Sequence, residues 1–75
     1  MAKQNDIAQL YREFEDAYVD FLTAEGEGVL VARRKKLYQA RTRLLAHNDF
    51  TEQEYDAVVL RADARARALA TQTPL

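Results

Sequence analysis

The chain has no cysteine, no serine and no tryptophan, and only one histidine, one proline and two glycines. Without cysteine there is neither a disulfide nor a thiolate metal site, and one histidine leaves a zinc centre short of ligands. With serine absent as well, the usual acyl-transfer nucleophiles are missing. Gly26-Glu27-Gly28 lacks both the length and the lysine of a phosphate-binding loop. So few glycines and prolines cannot supply the turns of an all-β fold. No apolar run reaches the roughly 18 residues of a membrane span, and the opening residues do not read as a secretory leader. These absences lead to the expectation of a cytoplasmic, non-enzymatic protein with no catalytic residue, cofactor or metal and no membrane association.

What remains is 48% hydrophobic and 31% charged, a balance that suits a folded chain. Alanine, leucine, glutamate, glutamine and arginine dominate, which favours helix. With 75 residues the chain makes one domain at most, read as 1–70 with a tail at 71–75. A core this small supplies roughly 3–5 kcal/mol by itself. A homodimer, or docking onto a larger protein, is therefore expected to complete it.

The near-neutral total hides a segregated charge. Residues 29–48 hold six of the eleven Lys and Arg side chains and no acid, whereas 1–28 carry seven acids and two bases. A basic element thus lies between two acidic ones. The sequence pI of about 5.7 argues against a dedicated nucleic-acid binder.

Hydrophobic spacing divides the chain into three helices at about 5–24, 29–47 and 52–70. In the first, Ile7, Leu10, Tyr11, Phe14, Ala17, Tyr18, Phe21 and Leu22 follow helical spacing on one face, with Glu13, Asp16 and Asp20 opposite. The spacing alone explains the aromatics as core. Asn5 or Asp6 is placed to cap its start. Gly26 and Gly28 predict a break at 25–28, against the alternative of one bent helix from 5 to 47. The second helix has two ridges, Leu30-Leu37-Leu44 and Val31-Tyr38-Leu45, with Arg34 and Arg41 between them. Lys35, Lys36 and Arg43 are expected to face solvent.

Asn48 is placed to close this helix in the left-handed conformation. Thr51-Glu52-Gln53-Glu54 has the form of a capping box, and Phe50 with Tyr55 that of a hydrophobic staple. So short a turn predicts that the last two helices pack as an antiparallel hairpin. The third helix presents Tyr55, Val58, Val59, Ala62, Ala66, Leu69 and Ala70, with Asp63 placed to pair with Arg67. The lone His47 is read as a dipole-capping side chain at the end of the central helix.

Two functional readings follow. The first is a protein–protein interaction module that inhibits, adapts or regulates a larger protein; small accessory proteins of phages and plasmids share this profile. Its candidate partner contacts are Arg33, Arg34, Lys36, Tyr38, Arg41 and Asp63. The second is a nucleic-acid-associated regulator using the basic helix at 33–43. For Arg34 and Arg41 a structural role comes ahead of a partner contact, their stems over the core and their heads on first-helix acids such as Glu15 and Asp16. Asp63 enters through a resemblance. Thr51-Glu52-Gln53-Glu54, Ala62-Asp63-Ala64-Arg65 and Leu69 are similar to the last helices of the Hha family of nucleoid-associated modulators. Those helical proteins bind a partner protein on DNA, and the resemblance implies that Asp63 is a partner contact. The likeness covers residues 51–69. The second and third helices also look like those of the RNA-binding Rop dimer.

Overall fold

The computed structural model describes residues 6–71, and they form three helices: α1 (Ile7–Leu22), α2 (Glu27–Leu45) and α3 (Glu52–Thr71). The sequence boundaries hold to within two residues at each end. Asn5 and tail residues 72–75 lie outside the described residues, while Thr71 ends α3.

Asp6 caps α1 by accepting the Ala8 amide at 3.1 Å. The helix ends where Thr23 turns its hydroxyl back to donate to the Val19 carbonyl at 2.9 Å. Arg33 donates to the neighbouring Asp20 carbonyl at 2.8 Å, so a cation from α2 meets the negative end of the α1 dipole. Gly26 follows at φ +94°, a conformation that side chains disfavour, and its carbonyl accepts the Leu30 amide to open α2. The break is therefore real, and α2 begins at Glu27. This earlier start puts an acid in its first turn and moves the Arg33–Lys36 run away from the positive dipole end.

Arg33 lies against the end of α1 and Arg43 against Glu13, so α1 and α2 run antiparallel. Tyr11 touches Thr51, and Arg61 and Arg65 reach Glu15, so α3 runs parallel to α1. Residues 46–51 do reverse the chain, but the expected side-by-side pairing of the last two helices is not what forms. Instead α1 packs along both α2 and α3, whose backbones stay apart. The bulk of the side chains explains this arrangement. Tyr11, Phe14, Tyr18 and Phe21 give α1 far more apolar area to bury than the alanine-rich face of α3 offers α2.

Phe14, Leu44 and Val58, one from each helix, are the largest fully buried side chains and mark where the three converge. Tyr55 packs on this centre, its ring tilted at 5.1 Å from Phe14 and edge-on at 5.7 Å from Phe50. The Phe50–Tyr55 contact is the predicted staple. Ala62 and Ala66 are buried, and their small side chains let α3 approach α1 closely.

The sandwiched position of α1 also changes its own pattern. Glu15 and Val19 are buried although neither belongs to the expected stripe. A helix covered on two sides needs two inward faces, and the second runs Tyr11-Glu15-Val19 at i+4 spacing.

The turn at 46–51 departs from expectation in its details. Among the described residues no non-glycine has positive φ, so Asn48 is not a left-handed cap; Ala46, in the right-handed region, ends α2. His47 follows that cap, and its Nδ1 accepts the Asp49 amide at 3.0 Å. Thr51 accepts the Glu54 amide at 3.2 Å, which is half of the capping box. The other half is made by Tyr11. Its hydroxyl accepts the Thr51 amide at 3.2 Å and lies 3.1 Å from the Thr51 carbonyl.

Candidate interaction surface

Two charged regions stand out. The first lies along the α1–α3 seam and is self-contained. The Glu15 carboxylate accepts from Arg61 Nε at 3.0 Å and from Arg65 Nη1 at 2.8 Å, and Arg65 also reaches Asp16 at 3.2 Å. Burial pushes the Glu15 carboxyl up, but the hydrogen bonds and charges of Arg65 and Arg61 outweigh it and hold it below its ordinary value. The same bonds, to Glu15 first and then Asp16, raise the Arg65 guanidinium. This cluster locks α3 to α1. The sequence shows these acids, but the expected partners Arg34 and Arg41 do not reach them. The i, i+4 spacing of Arg61 and Arg65 was the available signal.

The second region is the outward face of α2. Of the eight large hydrophobics exposed among the described residues, five are on this helix: Val29, Leu30, Val31, Tyr38 and Leu45. The two predicted ridges have separate fates. Leu37 and Leu44 are buried with Ala40 and only Leu30 of their ridge is exposed, at 36%, whereas Val31, Tyr38 and Leu45 are 52%, 58% and 42% exposed. At 100° per residue, the exposed ridge lies at least about 80° around the helix from Leu37 and Leu44 and farther still from Ala40. Arg34 and Arg41 border it on one side, and Lys35, Gln39 and Thr42 on the other. Val31, Arg34, Lys35, Tyr38, Gln39 and Thr42 share the lining of one shallow depression.

The candidate contact residues sort by what already occupies them. Arg33 is spent on the Asp20 carbonyl. Arg41 donates Nε to the Tyr55 hydroxyl at 3.1 Å, a side-chain link between α2 and α3. Arg34 and Lys36 are exposed and make no hydrogen bond or ion pair among the described residues, and neither does Lys35. Lys36 faces away from the ridge, toward a depression lined by Glu13, Asp16 and Asp20. Arg43 is exposed, as expected, and also meets Glu13 at 3.5 Å. Asp63 pairs with Arg67 at 3.1 Å on α3, whose backbone stays apart from that of α2. The structure thus gathers Arg34, Tyr38 and Arg41 and leaves Arg33, Lys36 and Asp63 elsewhere.

Among the described residues no cluster of His, Cys, Asp or Glu is placed to hold a metal ion, and no helix is long and apolar enough to cross a membrane. No protein-family model, no curated protein and no solved structure matches the chain.

Proposed function

We propose that the chain is a small, non-enzymatic interaction module that binds a larger protein through the outward face of α2, as an inhibitor, adaptor or regulator. The observation that carries this reading is the exposed Val31-Tyr38-Leu45 ridge on a helix that gives Leu37, Ala40 and Leu44 to the core. Exposed apolar side chains aligned along one helix face, bordered by charge, are what a partner covers. Tyr38 is the natural anchor, since an aromatic ring gives large contact area with little conformational freedom to lose.

The test is capture from source-cell lysate with and without nuclease, using the wild type beside Tyr38→Ala. A protein retained through nuclease by the wild type and lost by the variant supports the module. Capture that nuclease abolishes would transfer the surface to nucleic acid.

That second reading is favoured by one observation: Arg34 and Lys35 are exposed cations on the outward face of α2 with no hydrogen bond or ion pair among the described residues. It requires affinity to fall linearly in log salt, with a slope near −0.9 per phosphate contacted. Binding that does not change with salt removes it. A homodimer is the third arrangement, and sedimentation of the purified chain over a concentration series decides it.

A further inference from the structure

The α2 face has a definite length, period and charge, and together these describe its occupant. Resting on the reading of this face as a protein-binding surface, we infer that α2 docks an acidic amphipathic helix of another protein. The apolar ridge recurs every seven residues, the period at which two helices keep a common seam as they coil about each other. An extended peptide, with its period of two, would meet only scattered parts of it. From Val31 to Leu45 the ridge is roughly 21 Å long, which a partner helix of four turns matches.

Charge selects the partner's chemistry. Three residues past each of Val31 and Tyr38 stands an arginine, Arg34 and Arg41, where a purely apolar seam would place leucine. Tyr55 holds Arg41 by its Nε, which leaves the outer edge of that guanidinium for a carboxylate. Lys35 supplies positive charge on the other border. Carboxylates at seven-residue spacing on the incoming helix would therefore meet Arg34 and Arg41 while its apolar side chains cover Val31, Tyr38 and Leu45.

The same charges disfavour the other occupants. A second α2 in parallel register would set each arginine against its own copy. An antiparallel pair centred on Tyr38 would set Arg41 against Lys35. Like charges so close oppose either pairing. A phosphate backbone would satisfy the cations but hold Val31 and Leu45 in the middle of a polar contact, where they contribute nothing.

The experiment is an amide chemical-shift titration of the full isotope-labelled chain with three probes. The first is a capped synthetic helix of about 21 residues, six turns, with a leucine stripe at heptad spacing flanked by glutamates. The second is its twin with lysine for every glutamate, and the third a short DNA duplex. The inference expects the acidic helix to shift amides within 30–45 and the lysine twin to bind at least about tenfold more weakly. Arg34→Glu and Tyr38→Ala, both at exposed positions, should each weaken the acidic helix by about tenfold with the rest of the spectrum unchanged. Equal binding of both helices, or shifts confined to α3, overturns the inference. If the acidic helix is ignored and Tyr38→Ala abolishes self-association in sedimentation, a second copy is the occupant and the inference falls while a binding role for the face survives. Duplex binding at the same amides overturns both readings. Indifference of the folded chain to all three probes also overturns the inference, and the lysate capture then decides the broader reading alone.

Discussion

At Glu15 a carboxylate is carried to 8% exposure between two guanidinium groups. Its charge is tolerated because both oxygens are bonded and the arginines still reach solvent. Glu15→Gln keeps the shape but cannot accept from both arginines, and its stability at neutral pH should fall by about 1–3 kcal/mol in urea denaturation. The pH dependence has a definite sign. Because the folded-state value is depressed, Glu15 contributes its stability above the ordinary value of 4.5 and loses it as pH falls through the lower folded value. Acid titration followed by circular dichroism should therefore show a stability decline below pH 4.5 in the wild type that is shallower in Glu15→Gln. An equally steep decline in the variant would assign the acid transition to other carboxylates.

At the scale of elements, the junctions between helices carry the specificity. Gly26 and Gly28 share a loop-like sequence but do different work. At φ +94° Gly26 holds a backbone that a side chain would strain, so Gly26→Ala should cost more than about 1 kcal/mol. Gly28 sits inside α2 with nothing within 4 Å of an added Cβ, so Gly28→Ala should stabilise by up to about 1 kcal/mol. Thermal melts of the two variants should move in opposite directions. The second junction is the start of α3, where the Tyr11 hydroxyl bonds the Thr51 backbone across forty residues of chain. Tyr11→Phe removes only that hydroxyl and should lower stability by about 1 kcal/mol. Its distinctive mark should be faster amide exchange at Thr51, with α2 amides unaffected.

Over the whole molecule, burial is concentrated at the convergence of the three helices, and the outward side of α2 adds little to it. Leu44 is completely buried there, and Leu44→Ala should cost about 2–5 kcal/mol. In a chain whose core supplies roughly 3–5 kcal/mol, that is enough to abolish cooperative folding. Val31→Ala and Tyr38→Ala should each stay within about 0.5 kcal/mol of the wild type in the same denaturation series. A large destabilisation by Tyr38→Ala would mean that the ridge serves this fold rather than a partner. The contrast also separates stability from binding, because the ridge residues most useful to a partner are the ones the core does not need.

Helix content, the break at glycine and the staple that opens α3 were all legible in the sequence, because each depends on neighbours within a few residues. Asp6 before Ile7, Gly26 between two apolar stripes, and Phe50 with Tyr55 around Thr51 act locally. The order of packing was not legible. The short turn after α2 predicts that α2 and α3 pair, whereas the bulk of Tyr11, Phe14, Tyr18 and Phe21 makes α1 the helix that packs along both, with the α2 and α3 backbones apart. That arrangement in turn chose which charges meet: Glu15 faces Arg61 and Arg65 only because α3 lies beside α1, and Arg34 stays uncommitted because the acids of α1 meet the Lys36–Arg43 side of α2 instead. Local spacing and capping chemistry thus determined the helices and the two ridges of α2. Only tertiary packing, through the competition among side-chain volumes for one small core, decided which ridge is buried and which is left for a partner.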